Sequence, residues 1–171
     1  MTTVSYKVTV RVPKLKSLAH KIDAQLGGQG GPVNDAVTQW GVRVRAWLQE
    51  RFDKYSKGGG NWPPLSESTL RQRRGTTASI LRDTGLLFAA LSPVFVGAPG
   101  ALQDRLKNGI RVGFGGPATH ASGGSASVSD IAYFHQVGAG ILPVRKIIET
   151  PGIDVQQEMA NDLQRAISRL K

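Results

Sequence analysis

A long stripe of apolar residues near the start of the chain constrains the fold more than any other feature. Between residues 33 and 55, apolar side chains recur every three or four positions, which places them on one face of an α-helix. The stripe consists of Val33, Val37, Trp40, Val44, Trp47, Leu48, Phe52 and Tyr55. A helix over this range is about 34 Å long. We expect the two tryptophans to anchor the core beneath it.

Five shorter segments are also predicted to be helical. Ser66 is a suitable N-cap for one of them, because its hydroxyl can accept a hydrogen bond from a free backbone N–H one turn further on. Thr84 is expected to cap another, and Ser129 with Asp130 to cap a short helical turn. The predicted ranges are 15–26, 67–74, 86–91, 131–136 and 153–170.

Alternation of apolar and polar residues predicts strands. The first contains Tyr6, Val8 and Val10 and ends at Pro13. A strand edge is expected at 94–96, followed by a turn at 98–101 and a strand over 110–114. The glycine- and serine-rich run 115–127 predicts a protruding loop.

Glycine-rich joints at 27–31 and 58–60 suggest how the chain is divided. The chain has 171 residues, which fits one main domain. We expect residues 1–32 to hold an N-terminal strand and a short helix that can serve as an interaction arm. The main domain is expected to span residues 33–171.

The chain is strongly basic, with 22 Lys and Arg against 12 Asp and Glu and a formal net charge of +10. Such an excess favours an acidic partner, which can be a nucleic acid, an anionic surface or an acidic protein face. Two interpretations stay open, an ordinary solvated surface or a surface that faces DNA. The densest group lies in the middle of the chain and includes Arg43, Arg45, Arg51, Lys54, Lys57, Arg71, Arg73, Arg74 and Arg82.

The sequence contains none of the short motifs that usually carry catalytic or metal-binding chemistry. The three histidines do not have the spacing that grips a metal on one helix face, and cysteine is absent. No phosphate-binding glycine loop and no nucleophile elbow occur. No apolar run reaches the roughly 18 residues that a membrane helix needs. We therefore expect a protein that is not an enzyme, carries no cofactor or metal and does not enter a membrane.

Several short motifs, taken in order, resemble the phage virion-morphogenesis family, which includes tail-completion proteins of contractile-tailed phages and related neck components of long-tailed phages. The resemblance covers about residues 33–150. It is carried by Phe52 and Tyr55; Trp62, Pro64, Leu65 and Ser66; Thr69, Leu70, Arg71 and Arg73; Ile80, Leu81, Thr84, Gly85, Leu86 and Leu87; Val112 and Gly113; Tyr133, His135, Gln136 and Gly138; and Pro143 with Arg145. Two details depart from the family pattern, namely the two-residue spacing of Tyr133 and His135 and the Arg-Lys-Ile run at 145–147.

The resemblance implies an α+β fold in which a small antiparallel sheet packs on the long amphipathic helix, with a C-terminal helix. It implies a structural protein of the virion, made in the host cytoplasm and placed at the head–tail junction, where a ring, expected to be hexameric, completes the tail. The implied partners are further copies of the chain, a head connector or head-closure protein, a tail terminator or tail tube protein, and packaged DNA in the lumen. Tail terminator and head-closure roles belong to the same structural class.

Two sets of residues are candidates for contacts in such a particle. A ring around DNA should present positive charge to its lumen, since Lys and Arg replace the counterions of the phosphates. The candidates for this role are Arg43, Arg51, Arg71, Arg73 and Arg74. Candidates for a protein interface are Tyr6, Val8, Val10, Trp62, His135, Gln136 and Arg145.

Four of the interface candidates also have a purely structural interpretation. Trp62 suits a buried anchor under a loop, and His135 with Gln136 suits hydrogen bonding to backbone in a turn. Arg145 is four residues before Glu149 and is expected to pair with it. Two other functions stay open for the whole chain, a basic accessory protein that binds DNA without sequence preference, and a hydrolase whose site is assembled from distant residues.

Overall fold

The structure, a computed structural model, describes residues 4–8, 31–73, 78–94, 97–106, 109–116, 118–119 and 125–169. These ranges contain three strands and five helices. In chain order they are β1 (Val4–Val8), α1 (Pro32–Ser56), α2 (Glu67–Gln72), α3 (Leu86–Ala90), β2 (Ala101–Leu106), β3 (Gly109–Phe114), α4 (Val128–Val137) and α5 (Ile153–Ser168).

The three strands form one antiparallel sheet with β3 in the centre and the order β1-β3-β2. Val4 of β1 and Ala101 of β2 both lie opposite Phe114 of β3. Ile110, Val112 and Phe114 are fully buried, as expected for a central strand whose apolar residues alternate toward a core.

The long helix α1 packs against this sheet, and its stripe forms the core with β3. Trp40, Val44, Leu48 and Phe52 belong to one buried cluster with the three apolar residues of β3. Gly41 allows the close approach, because a Cβ there would lie 2.4 Å from Cδ1 of Ile110. The predicted α+β class, with a small antiparallel sheet on one long amphipathic helix, is confirmed.

The C-terminal helix α5 packs along α1. Ala166 forms a second buried cluster with Val33 and Ala36 of α1. The predicted bounds of α1 and α5 are confirmed to within a few residues. Within the described residues, no helix is both long and apolar enough to cross a membrane.

The predicted helix caps were right in one case and wrong in two. Ser66 caps α2 and accepts a hydrogen bond from the N–H of Thr69. The cap of α3 is Gly85 and not Thr84, since the chain enters the helix with a φ of +74°. Helix α4 begins earlier than predicted, because Ser127 rather than Ser129 is its cap and forms a capping box with Asp130.

Two of the predicted strands are confirmed at least in part, and one strand of the sheet was not predicted. The strand at 110–114 is confirmed by β3, and Val4–Val8 forms the first strand, whereas Val10 and Pro13 lie outside the described residues. Strand β2 was missed, because Ala101–Leu106 has no clean alternation. Val94 is not in a strand, and 95–96 lie outside the described residues, as do the predicted helix 15–26 and most of the glycine joint at 27–31.

Candidate interaction site

Residues 51–64 meet residues 136–149 in a region that we call the corner. Trp62 makes the first connection in it. The residue is 6% exposed, and its indole ring makes edge-to-face contacts with Phe52, at 5.1 Å between ring centroids, and with Tyr55, at 5.6 Å. Its Nε1 donates a hydrogen bond to the carbonyl oxygen of Lys146 at 3.2 Å. Trp62 therefore joins the end of α1 to a segment more than 80 residues later in the chain.

Arg145 makes the second connection between the same two segments. Only 4% of this residue is exposed, and its guanidinium donates to the carbonyl oxygens of Pro63, at 3.0 and 3.2 Å, and of Pro64, at 3.1 Å. Burial lowers the pKa of Arg145. The expected pairing with Glu149 is wrong, because residues 142–150 are not helical and the Arg145 side chain is directed toward the two prolines.

Gln136 makes the third connection, from the last turn of α4. Its side-chain oxygen accepts from the N–H groups of Ile147 and Ile148 at 2.8 and 2.9 Å, and its side-chain N–H donates to the carbonyl oxygen of Ile148 at 2.8 Å. The prediction that Gln136 bonds backbone is confirmed, although it acts from a helix and not from a turn. We call residues 139–149, which these contacts hold in place, the strap.

Arg51 of α1 makes the fourth connection to the strap. Its guanidinium donates to the carbonyl oxygens of Lys146 and Ile147 at 3.0 and 3.2 Å and forms an ion pair with Glu149 at 2.7 Å. It also lies 4.4 Å from the ring centroid of Tyr55. The side chain is 9% exposed, so Arg51 is engaged within the protein and is a poor candidate for DNA contact.

His135 lies where the strap leaves α4. Its carbonyl oxygen accepts from the N–H of Arg145 at 2.7 Å, and its Nδ1 is enclosed without a hydrogen-bond partner among the described residues. Burial, and then the charge of Arg145, lowers the pKa of His135 to about 4. The imidazole is therefore neutral near pH 7 and fills space beside the guanidinium.

The corner presents an exposed apolar surface, which we call the apolar knob. It combines one face of the end of α4 with the first half of the strap. Ile141 is fully exposed, and the other members retain between 37% and 48% exposure. The knob consists of Tyr133, Phe134, Val137, Ile141, Leu142 and Val144. Clustered exposed apolar residues are typical of surfaces that contact a protein, a membrane or a ligand.

The remaining arginines proposed to face DNA differ from one another. Arg43 pairs with Glu158 and Asp162 of α5, at 2.6 and 2.9 Å, so its charge is balanced within the protein. Arg71 is exposed and pairs with Glu67 one helical turn away. Arg73 donates to the carbonyl oxygen of Ser79, and Arg74 lies outside the described residues.

The proposed interface residues of the N-terminal strand lie at an edge of the sheet. Tyr6 pairs with Val112 and Val8 with Ile110, while Val10 is outside the described residues. Because β1 is the outermost strand on its side of the described sheet, it stays a candidate for pairing with a neighbour.

Sequence reasoning missed a buried arginine on α1. Arg45 is fully buried and donates to the carbonyl oxygens of Ala90 and Ser92, at 2.7 and 2.9 Å, at the C-terminal end of α3. A signal was present, since Arg45 is three residues before Leu48 and four after Gly41, on the buried face of the helix. The charge of Arg45, taken alone, predicts a surface residue.

These groups form a hydrogen-bond network that holds the backbone of the strap. The polar atoms of the corner bind backbone carbonyl and amide groups, and the described residues contain no group of three or more His, Cys, Asp or Glu able to hold a metal ion. Comparison of the chain with protein-family models, with curated proteins and with solved structures found no match.

Proposed function

We propose that this protein is a structural component of a bacteriophage particle, a ring-forming subunit at the junction of head and tail. One observation carries the proposal. Three motifs that resemble the virion-morphogenesis pattern lie far apart in the sequence and contact one another in a single corner. Arg145 of the last motif binds Pro63 and Pro64 of the first, and Gln136 of the middle one binds the residues that follow Arg145.

The motifs depend on one another for their hydrogen bonds. Arg145 needs the proline carbonyls to satisfy a buried guanidinium, and the carbonyl of Lys146 is bound by Trp62. Motifs that supply one another's hydrogen bonds form one structural unit. Such a unit is expected of a family that shares a fold, and is less expected of short matches that occur by chance.

The geometry of the corner supports a role in assembly. Its polar groups hold the strap, and the strap presents the apolar knob to solvent. A protein of this kind acts by docking and not by breaking bonds. In this proposal the copies form a ring, expected to be hexameric, which binds a head connector or head-closure protein on one side and a tail terminator or tail tube protein on the other.

The charge of the chain supports passage of DNA through such a ring. Lys and Arg side chains close to DNA release the counterions condensed on its phosphates, which favours binding. A chain with a net charge of +10 is therefore suited to face DNA. Arg71, Arg73 and Arg74 are kept as candidates for the lumen. Arg43 and Arg51 are withdrawn, since Arg43 pairs with two acidic side chains of α5 and Arg51 is buried against the strap, whereas the ion pair of Arg71 with Glu67 is solvent-exposed.

The decisive experiment is a phage lacking this protein. A nonsense codon early in its gene should yield full heads and separate tails, and electron microscopy of wild-type particles should show density at the neck that the mutant lacks. The layer in which that density lies distinguishes tail completion from termination and head closure. Infectious, fully joined particles without the protein, or its absence from purified virions, would rule the proposal out.

The second candidate is a basic accessory protein that binds DNA without sequence preference, which the net charge alone favours. Its affinity for duplex DNA should fall steeply with salt, with a slope set by the number of phosphates neutralised. Tight, salt-sensitive binding by a monomer that never enters the particle would favour this candidate over the first.

A further inference from the structure

We propose that the cleft between α2 and the first half of the strap binds the C-terminal carboxylate of a peptide whose last residues are apolar. We call this cleft the strap cleft. It has a volume of about 580 Å³, within the range of about 300–1,000 Å³ that is usual for ligand clefts. The inference goes beyond the proposed function, because it assigns a ligand site that a role at the head–tail junction does not require.

The guanidinium of Arg145 supplies a donor for such a ligand. Arg145 lines the strap cleft, although only 4% of the residue is exposed. Its hydrogen bonds to Pro63 and Pro64 use Nε and Nη2, so Nη1 has no hydrogen-bond partner among the described residues. A nearly buried donor without a protein partner is suited to bind an oxygen atom of a ligand that enters the cleft.

Arg145 also lacks a negative charge beside it. Glu149, the acidic residue nearest to it in the sequence, pairs with Arg51 at 2.7 Å. Burial lowers the pKa of Arg145, and no acidic side chain of the described residues opposes that effect. Buried charges in proteins are normally paired with an opposite charge. An anion bound at Nη1 would supply that charge and stabilise the guanidinium.

The charge of the strap cleft matches a single negative group. Arg73 and Arg145 line it together with one carboxylate, that of Asp83. His135 also lines it and is neutral near pH 7, because its pKa is lowered to about 4. The lining therefore has an excess of one positive charge. A carboxylate neutralises this excess, whereas the charge of a phosphate monoester exceeds it.

Three hydroxyl groups add neutral donors to the cleft. Oγ of Ser66 lies 3.0 Å from Oγ of Ser68 and 2.8 Å from Oγ1 of Thr69, and all three residues line the cleft. The two contacts use two of the three hydroxyl hydrogens, so one hydrogen is left to donate. A carboxylate has about four lone-pair sites and can accept from several donors.

The apolar part of the lining favours a chain end over an acidic side chain. A C-terminal residue carries its carboxylate and its side chain on the same Cα, so it can meet the guanidinium and apolar surface together. In Asp or Glu the carboxylate is the side chain itself. Burial of apolar surface adds to affinity, and Ile141 is fully exposed. The apolar lining residues are Pro64, Leu65, Leu81, Ile141, Leu142 and Pro143.

The test is an NMR titration of the full chain with acetyl-Leu-Leu that has a free C-terminal carboxylate. A ligand of this size is expected to bind with a Kd of roughly 0.1–1 mM. The bound carboxylate should also raise the pKa of His135 above about 4, because a negative charge beside Arg145 favours protonation of the imidazole. No saturation below about 10 mM, or an unchanged pKa of His135, would overturn the inference.

Two arginines at α2 provide a pair of variants that change the charge equally. Arg73→Gln removes a positive charge from the lining of the cleft and should weaken peptide binding about tenfold. Arg71→Gln removes one whose side chain is 79% exposed and outside the lining, and should change binding less than about twofold. Circular dichroism should show both variants folded. Equal weakening by both would reduce the effect to general charge attraction and contradict the assigned site.

Three further ligands separate the alternative occupants. Acetyl-Leu-Leu-amide lacks the carboxylate, acetyl-Leu-Asp-Leu-amide carries it on an internal side chain, and inorganic phosphate carries charge without apolar groups. Each should bind at least about tenfold more weakly than the free acid. Equal or tighter binding of any one would overturn the assignment to a chain end. Selective binding of the free acid by a chain absent from virions would keep this inference and remove the proposed function.

Discussion

The side-chain amide of Gln136 completes both backbone hydrogen bonds of Ile148, donating to its carbonyl oxygen at 2.8 Å and accepting from its N–H at 2.9 Å. The Gln136 side chain thereby supplies the hydrogen-bond donor and acceptor that a neighbouring strand supplies to the backbone of an edge strand. Ile147 and Ile148 are buried, so their backbone polar groups cannot turn to water instead. The irregular strap is stable because helix α4 supplies these partners.

We therefore expect Gln136→Leu to be strongly destabilising. The substitution leaves buried N–H groups of Ile147 and Ile148 without a partner, and each such group costs about 1–3 kcal/mol. Urea denaturation should show the free energy of unfolding lowered by about 2–4 kcal/mol. Gln157→Leu is the control, since Gln157 bonds Asn161 on an exposed face and should change stability by less than about 0.5 kcal/mol.

Arg145 should be equally intolerant of change. Arg145→Met keeps much of the volume but leaves the carbonyl oxygens of Pro63 and Pro64 without their donor, and hydrogen bonds to a charged group are each worth about 1.5–3 kcal/mol. We expect a loss of about 3 kcal/mol in the free energy of unfolding. Arg145→Lys should not recover it, because an ammonium lacks the planar fork. Wild-type stability in either variant would contradict this account of the corner.

Substitutions at two nearby glycines, Gly138 and Gly140, distinguish destabilisation by backbone strain from destabilisation by steric collision. Gly138 and Gly140 both have positive φ, at +74° and +63°, so Ala at either site should cost about 1–2 kcal/mol. Gly140 has open space around it, whereas a Cβ at Gly138 would meet Val144 at 2.7 Å. Thermal and urea unfolding should show Gly138→Ala as the more damaging by about 1–3 kcal/mol. Equal losses would show that Val144 moves freely.

His135 makes stability depend on pH in a defined window. Its pKa is lowered to about 4 in the folded protein from 6.5, so the unfolded chain binds the proton more tightly. The folded state is favoured in full above pH 6.5, and stability falls as the pH drops from 6.5 to 4. By linkage this loss is about 3 kcal/mol.

Measurement of unfolding at several pH values checks this expectation. His135→Gln cannot take up the proton, so its stability should be nearly flat between pH 6.5 and 4, where the wild type declines. Asp53 and Asp130, whose pKa values are lowered by hydrogen bonds to Lys57 and Ser127 respectively, act below this window. Parallel curves for variant and wild type would show that His135 is not the responsible group.

Local patterns in the sequence predicted much of the fold because periodicity reports which face of an element is buried. The stripe from Val33 to Tyr55 predicted α1, and Ile110, Val112 and Phe114 predicted β3. Strand β2 could not be predicted in this way, since it is an edge strand of mixed polarity. Its place is fixed by pairing with β3 and not by its own residues.

The interaction site was predicted less well. Trp62 is a buried anchor, as the sequence predicts, and Gln136 hydrogen-bonds backbone, as the sequence also predicts. The roles of Arg51, Arg145 and Arg45 were not foreseen, because a charged side chain in a sequence suggests a surface. Burial of a guanidinium becomes favourable only when carbonyl oxygens converge on it, and such convergence depends on distant segments.

The sequence by itself determined most of the elements, since the hydrophobic period acts over a few residues, whereas β2 depends on its pairing with β3. Only the tertiary structure decided which arginines bind the protein itself, how the strap is held and where an apolar surface is left uncovered. Those properties arise from contacts between residues that lie from 11 positions apart, as for Gln136 and Ile147, to 119 positions apart, as for Arg43 and Asp162. No local pattern encodes the geometry that satisfies a buried polar group.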